Sequence, residues 1–257
     1  MYKLLSVNNT KINKSNKMEN TKYWSTLMHL RPINTRICPY QDIAKCKNAC
    51  LVTAGRGKFS NVQEARQRKT ELFLNNRNEF MSQLIADIQK FIRACQRKSK
   101  KPALRLNGTS DIQWENIYIG NREQYSIDTT DIKLFNKKEY GLDCQNIFEL
   151  FPDVQFYDYT KIPTRKVEQY QNYHLTWSYS EANEKYAEYF NQVPYNKAVV
   201  FNGDLPKTFK GLKVIDGDVH DMRFLDKPNV VVGLRAKGDA KKDDTGFVIQ
   251  PLKLIGV

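Results

Sequence analysis

The chain has 257 residues, of which 40% are hydrophobic and 12% aromatic, a composition that excludes a disordered protein and fits one large α/β domain or two small ones. The 41 Lys and Arg residues exceed the 28 Asp and Glu residues and give a formal net charge of +13. This excess favours a polyanionic partner such as a nucleic acid or nucleotide, although a lysine-rich solvated surface explains it equally well. No apolar run approaches the roughly 20 residues of a membrane span, and the first residues lack the pattern of a secretory signal, so we expect a cytoplasmic protein.

The beginning of the chain predicts an arm, a strand and a long loop. Residues 1–22 are rich in Asn and Lys and have no apolar period, which predicts a basic flexible arm ahead of a single domain over 23–257. Alternating apolar residues at 24–30 predict the first strand. Residues 31–59 predict a loop that contains most of the cysteines.

A long helix is predicted next. Ser60 and Gln63 have the spacing of a capping box, and apolar residues then recur on a helical period. The pair Asn75 and Asn76 predicts a break in this helix, and Pro102 predicts its end.

Short apolar segments recur in the rest of the chain. The predicted strands are 103–107, 154–159, 173–178, 197–202, 211–218 and 229–237, and the predicted short helices are 146–152 and 183–192. Residues 112–143 are irregular and indicate an insertion. Strands that alternate with helices predict an α/β protein with a mainly parallel sheet. About seven or eight strands fit a full or partial (β/α) barrel of the TIM type, and an open doubly wound sheet is the alternative.

Polar residues follow several of these strands, at the edge where α/β proteins bind their ligands. The candidate catalytic residues are Asp111, Asp158, Glu181, Asp216, Asp218, His220 and Lys237, and the candidate binding residues are Ser110, Thr160 and Ser178. Carboxylates and an imidazole at one mouth would suit a divalent cation or a general acid and base. Taken singly, each residue is more typical of a helix cap or a turn.

Three of the 5 cysteines lie close together in the predicted loop. Cys38, Cys46 and Cys50 are separated by seven and by three residues. The odd total of 5 cysteines in the chain favours reduced thiols over a disulfide framework. Three thiolates suit an iron–sulfur cluster or zinc and leave one coordination position open. The alternative is a set of ordinary small thiols. Cys95 is predicted to lie in the core, and Cys144 stands alone.

The chain resembles the phage "gene product 88" family over most of residues 24–250. The resemblance lies in the cysteine loop and in the segments LRLNGTSDIQW, IFELFPDVQFYDYTK, NYHLTWSYSE, VIDGDVHDMRFLD and VVVGLRAKG. It implies a phage-encoded protein in the cytoplasm of a bacterial host, and it implies no particular activity.

The cysteine loop is also similar, more distantly, to that of radical S-adenosylmethionine enzymes, which place three cysteines just after the first strand of a full or partial barrel. That similarity implies that Cys38, Cys46 and Cys50 hold a 4Fe–4S cluster whose fourth iron binds S-adenosylmethionine. The spacing between the cysteines is longer here than is usual in those enzymes.

Three functions of different classes remain open at this point. The first is a metal- or iron–sulfur-dependent enzyme that acts on a nucleotide or nucleic acid. The second is a hydrolase or nuclease that holds a divalent cation between carboxylates. The third is a non-catalytic protein that binds nucleic acid or a host component through its charge.

Overall fold

The computed structural model describes residues 3–6, 9–119 and 146–250 of the chain. Its strands are β1 (Leu5–Ser6), β2 (Tyr23–Met28), β3 (Lys101–Arg105), β4 (Gln155–Thr160), β5 (Tyr173–Ser178), β6 (Lys197–Phe201), β7 (Thr208–Phe209), β8 (Leu212–Asp216), β9 (Val230–Arg235) and β10 (Val248–Ile249). They form one sheet in the order β1-β2-β3-β4-β5-β6-β9-β8-β7, with β10 paired to β6. Only the terminal pairs β1–β2 and β7–β8 are antiparallel among the described strands. The predicted α/β class and mainly parallel sheet are therefore confirmed.

The helices of the described residues are mostly short. The α-helices are α1 (Thr10–Asn16), α2 (Ser60–Asn75), α3 (Arg77–Gln96), α4 (Ile147–Leu150) and α5 (Glu184–Ala187), and 3₁₀ turns lie at Leu51–Thr53, Gly55–Lys58, Trp114–Asn116, Glu188–Asn191, Arg223–Leu225 and Gly238–Lys242. The predicted break in the long helix is confirmed, because Asn76 ends α2 and caps α3 by accepting a hydrogen bond from the Glu79 N–H at 3.2 Å. No helix in the described part of the chain has the length and the apolar character of a membrane span.

The predicted capping box at the start of α2 is wrong. Phe59 is the N-cap of this helix, and no side chain caps it. The Gln63 side chain instead donates hydrogen bonds to the backbone carbonyl oxygens of Val52 and Gly57, which lie in the preceding 3₁₀ turns. The glutamine therefore ties the end of the cysteine loop to α2.

Pro102 does not end the long helix. Helix α3 ends at Gln96, and Ser99, at a φ of 52°, reverses the chain into β3. Pro102 lies inside β3 opposite Trp24 of β2. Pairing with β4 begins only at Ala103, so the missing N–H of the proline falls near the start of the strand, where proline is tolerated.

The two faces of the sheet carry different layers. In β4, Phe156 packs against Phe148 of α4 with the ring centroids 5.0 Å apart, while its neighbour Tyr157 packs against Phe224 at 5.4 Å. Successive side chains of a strand point to opposite faces, so α4 lies on one face and the turn at Arg223–Leu225 on the other. Because other elements bury both faces of the sheet, the sequences of these strands are apolar at nearly every position.

The structure differs from the predicted flexible arm at the start of the chain. Leu5 pairs with Met28 as part of β1, and α1 packs against β2. Leu4, Leu5 and Ile12 are buried, with at most 3% of each side chain exposed. Asn9 caps α1 by accepting hydrogen bonds from two backbone N–H groups. A few apolar residues, too widely spaced to show a period, are therefore enough to dock this segment.

The sheet is open, so the predicted full barrel is not confirmed. Strands β2 to β6 follow in chain order, but the path of described strands ends at β1 and β7, which do not pair with each other. Strand β5 pairs with β6 at only two positions, and β10 continues the ladder beside Val200 and Phe201. The uniform order of β2 to β6 also differs from the reversed order of a doubly wound sheet.

Only residues 112–119 of the insertion predicted at 112–143 are described, and they contain the 3₁₀ turn at Trp114–Asn116. The remainder of that insertion and Cys144 lie outside the described residues.

Candidate functional site

A cavity of about 240 Å³ opens at the carboxyl edge of the parallel strands. Its wall is formed by residues at the ends of β3, β4, β5, β6 and β9 and by part of the cysteine loop. This is the edge at which α/β sheets bind their ligands. Three cysteines, several cations and two carboxylates meet there.

Two hydrogen bonds hold the cysteine loop over the strand ends. The carbonyl oxygen of Ile37 accepts from the Asp111 N–H at 2.9 Å, and that of Ala44 accepts from the Ser180 hydroxyl at 2.9 Å. Ile37 and Ala44 are fully buried. Lys45 has a φ of 51° and turns the chain at the second cysteine. The loop is therefore anchored beyond β3 and β5, and the cysteines face the cavity.

The thiols of Cys38, Cys46 and Cys50 are half-buried and form no disulfide among the described residues. Burial raises the pKa of all three, and the negative charge of Asp111 raises that of Cys38 further. Lys161 offsets part of this rise in the pKa of Cys46 and Cys50. No group of three or more His, Cys, Asp or Glu side chains within residues 3–6, 9–119 and 146–250 is arranged to hold a metal ion.

Lys161 follows β4 and lines the cavity, and its amine contacts two other lining residues, Ser178 and Phe247. Its backbone N–H donates to Asp111 Oδ2 at 2.7 Å, which fixes the start of the side chain. Its Nζ donates to the Ser178 hydroxyl at 2.8 Å and carbonyl at 3.2 Å, and lies 4.5 Å from the centre of the Phe247 ring. Burial lowers the pKa of this amine.

Asp111 belongs to a buried ion-pair group beneath the cavity. Its Oδ1 lies 3.5 Å from Arg165 Nη1, and Arg165 binds Glu115 through two hydrogen bonds of 2.7 Å and 2.6 Å. Burial raises the pKa of Asp111, although Arg165 and the Lys161 N–H act against that rise. The Asp111 carboxylate therefore already has two partners within the protein, Arg165 and the Lys161 N–H.

Asp158 lies below the same edge without reaching the cavity. It accepts hydrogen bonds from the Asn107 N–H at 2.7 Å and the Tyr173 hydroxyl at 3.1 Å. Burial raises its pKa to about 7. Gly108, which follows Asn107 just beyond the end of β3, lies so close to β2 that a Cβ would overlap the Met28 carbonyl oxygen. This close approach explains why the residue is a glycine.

Two further charged groups line the cavity. Lys11 Nζ and Arg105 Nη1 each lie 3.1 Å from the carboxylate of Asp221, which is fully buried. At the rim, Lys237 Nζ lies 2.5 Å and Arg235 Nη1 lies 3.4 Å from the carboxylate of Asp218. These cations and acids neutralise one another to a large extent.

The family model for gene product 88 matches residues 3–251 of the chain. The chain belongs to the gene product 88 family. No curated protein and no solved structure matches it, so the similarity to radical S-adenosylmethionine enzymes gains no support from these comparisons.

In this gene product 88 protein, most of the residues singled out from the sequence meet at the cavity. Those that line it are Cys38, Cys46, Cys50, Ser110, Asp111, Thr160, Ser178, Asp218 and Lys237. Asp158 is buried beneath it, and Asp216 lies at the rim, 2.9 Å from Arg235. Glu181 instead accepts from the Tyr179 hydroxyl at 3.2 Å.

His220 lies apart from the cavity. Its Nδ1 accepts from Arg223 Nη2 at 2.9 Å, since a guanidinium can only donate, and its Nε2 lies 3.6 Å from Asp226. Burial and the charge of Arg223 lower its pKa to about 4. The imidazole is therefore neutral near pH 7, and its contacts with Arg223 and Asp226 lie within the turn that contains it.

Several charged residues of the cavity were not selected from the sequence. Lys11 lies in the segment predicted to be a flexible arm, and Arg105 and Tyr159 lie inside predicted strands. Lys161 comes two residues after the predicted strand 154–159. A single cation inside an otherwise apolar predicted strand, as Arg105 is in 103–107, is the signal that points to one of them.

Proposed function

We propose that this cavity is the active site of an enzyme in which Cys38, Cys46 and Cys50 bind a metal centre, and that the enzyme acts on a nucleotide or nucleic acid. The observation that carries the proposal is the position of the three thiols. One short segment brings them to the wall of a cavity that neighbouring parallel strand ends also line. Ordinary structural thiols have no reason to converge at the ligand-binding edge of the sheet.

The thiols suit a soft metal ion or an iron–sulfur cluster by their chemistry. Burial keeps them protonated in the metal-free protein, and the nearby Lys161 favours the thiolates of Cys46 and Cys50. Metal binding would release the thiol protons and stabilise the loop. As placed, the side chains do not enclose an ion, so the proposal requires the three sulfurs to close around the metal when it binds.

An iron–sulfur cluster is the first candidate for this centre, and zinc or another divalent cation is the alternative. A cluster with one open iron, together with S-adenosylmethionine, supplies one-electron chemistry in the enzymes that the cysteine loop resembles. The consecutive, parallel order of β2 to β6 supports a partial-barrel arrangement of the kind those enzymes have. We therefore include in the proposal that β2 to β6 form a partial barrel around the site.

The cavity wall supports an anionic substrate. Cationic side chains suit the phosphate groups of a nucleotide, and five of them line the wall, of which all but Lys161 also contact a carboxylate. They are Lys11, Arg105, Lys161, Arg235 and Lys237. Their role in the proposed reaction is to bind and orient the substrate beside the cysteines.

The carboxylate-based hydrolase gains no comparable support. Asp111 contacts Arg165, and Asp218 contacts Lys237, so the two carboxylates of the wall are already paired with cations. His220 faces Arg223 in a separate turn. A divalent cation would have to displace these partners.

The test is the metal content of protein purified without oxygen. We expect iron and sulfide with visible absorption in the unaltered protein, and loss of most of the iron in Cys38→Ala, Cys46→Ala and Cys50→Ala. Cys95→Ala is the matched control, because Cys95 is buried in α3 and is not among the residues lining the cavity. Bound zinc with the same pattern of loss would support the alternative centre. The same metal content in all four variants would overturn the proposal.

A further inference from the structure

Lys161 differs from the other cations of the cavity in its partners. Lys11 and Arg105 each lie 3.1 Å from a carboxylate, and Arg235 and Lys237 lie 2.9 Å and 2.5 Å from others. Within the described residues, no ion pair is formed by the amine of Lys161. Among the described residues of the cavity wall, Lys161 is therefore the one cation that does not contact a carboxylate.

The carboxylate whose charge acts on this amine has other partners. That carboxylate, of Asp111, already accepts from the Lys161 N–H and lies beside Arg165. An unbalanced charge in a half-buried site is unfavourable unless a ligand of opposite charge compensates it.

The hydrogen bonds of Lys161 leave room for such a ligand. An ammonium group has three N–H donors, and Ser178 accepts from the amine of Lys161 at its hydroxyl and its carbonyl oxygen, 2.8 Å and 3.2 Å away. One donor remains for a ligand in the cavity. Because the Ser178 hydroxyl accepts from the lysine, its own hydrogen is available to donate to the same ligand. A cationic donor and a neighbouring hydroxyl donor are what an oxyanion binds best.

We propose that Lys161 and Ser178 form an oxyanion site that binds the phosphate or carboxylate group of the ligand of this cavity. The inference rests on the proposed role of the cavity as a ligand site, but it does not depend on whether the cysteines bind metal. The site lies at the ends of the adjacent strands β4 and β5, whose parallel pairing fixes the two side chains side by side. The anion would be held on the wall that the cysteines share, which would place the rest of the ligand beside them.

The test is calorimetric titration of the full chain with probes that differ in their anionic group. Adenosine 5′-monophosphate tests a phosphate, succinate tests a carboxylate, and adenosine is the uncharged control. We expect the unaltered protein to bind one of the two anions more tightly than adenosine. Loss of a hydrogen bond to a charged group should weaken that binding about 10- to 100-fold in Lys161→Met. Lys161→Arg should retain most of the affinity, and Ser178→Ala should lose several-fold.

Lys207→Met is the control for a general loss of charge, because Lys207 is exposed and is not among the residues lining the cavity. Lys161→Met should also keep the metal content of the unaltered protein, which separates a failure of this inference from a failure of the metal proposal. Anion binding by Lys161→Met as tight as in the unaltered protein would overturn the inference. So would the absence of binding of either anion to the unaltered protein.

Discussion

Two buried carboxylates, Asp158 and Asp221, have opposite pKa shifts because their partners differ. Both are fully buried. Burial raises the pKa of Asp158 to about 7, since the Asn107 hydrogen bond and the charges of Arg105 and Arg165, which form no ion pair with it, only partly compensate the burial. Burial also acts against ionisation of Asp221, but the adjacent Arg105 and Lys11 lower its pKa to about 2. Direct contact with cations thus distinguishes the pKa values of two equally buried acids.

The pKa of Asp158 predicts that this residue makes the protein less stable as the pH rises. The folded state holds the Asp158 proton up to about pH 7, whereas the unfolded chain releases it near the ordinary aspartate pKa of 3.8. The free energy of unfolding should therefore fall between about pH 4 and pH 7, by an amount on the order of a few kcal/mol from this residue. Asp158→Asn should remove that part of the pH dependence, as measured by urea unfolding at pH 4.5 and pH 7.5.

Asp153→Asn is the control for the Asp158 experiment, because Asp153 is exposed in the turn just before β4. It should leave the pH dependence as it is in the unaltered protein. A variant Asp158→Asn that becomes less stable relative to the unaltered protein as the pH rises would show that the carboxylate is stabilised in the fold.

The sequence predicted the chemistry of single residues less well than their general location. Asp216, Asp218, His220 and Asp221 are close in sequence and suggest one metal or acid–base motif. In the structure Asp218 pairs with Lys237, while Asp221 pairs with Lys11, more than 200 positions away. Local spacing contains no information about partners that distant parts of the chain supply.

At the scale of elements, the positions of the strands and of the short helices predicted at 146–152 and 183–192 could be predicted, whereas the cap and the end of the long helix could not. Strand β5 was predicted at its observed bounds, and the other strands predicted from 24–30 onward were found with shifts of a few residues. Apolar runs buried on both faces give a clear signal. The short elements β1, β7, β10 and α1 were not predicted, because two-residue strands and a polar helix have no period to recognise.

Helix α1 gives a prediction that separates a docked element from a flexible arm. Ile12 is fully buried, so Ile12→Ala should lower the free energy of unfolding by about 2–5 kcal/mol. Lys14→Ala, at an exposed position of the same helix, should change it by less than about 0.5 kcal/mol. Urea unfolding measures both. An equally small effect of the two substitutions would mean that α1 does not stay docked in solution.

The cysteine loop shows how an element without regular structure could still be placed correctly. Its position directly after the first long parallel strand predicted that the thiols reach the carboxyl edge of the sheet, and they line the cavity there. What the sequence could not predict is how closely the sulfurs approach one another. That depends on the contacts of Ile37 with Asp111 and of Ala44 with Ser180, which join the loop to other strand ends.

For the whole molecule, the parallel direction of the strands follows from their alternation with helices, but the strand order after β6 and the closure of the sheet do not. A parallel sheet of consecutive strands is typical of both barrels and open sheets. Strand β10 pairs with β6 above the end of β5, and β7 forms an antiparallel edge beside β8. Both strands have two residues, too few for a sequence pattern to reveal.

A second group of cations lies at the edge of the sheet opposite the cavity. A groove at the amino ends of β2 and β3 is lined by Lys22, Lys100 and Lys101, and the exposed Arg97 and Lys98 precede it in sequence. None of these five side chains forms an ion pair within the described residues. Unpaired cations in one place favour the functional interpretation of the net charge of +13.

This groove predicts salt-dependent binding of nucleic acid, measured by fluorescence anisotropy with a labelled duplex at several salt concentrations. Each phosphate contacted should release condensed counterions, so the affinity of the unaltered protein should fall steeply, by orders of magnitude for about six or more contacts, between 50 and 200 mM salt. The double variant Arg97→Glu with Lys101→Glu should bind more weakly and with a salt slope smaller by about two.

The control is the double variant Lys185→Glu with Lys207→Glu. It makes the same change of net charge at exposed positions outside the groove and should bind nearly as the unaltered protein does. Equal losses in the two double variants would show that only the overall charge matters. An affinity that stays flat with salt would remove nucleic acid as the partner of this surface.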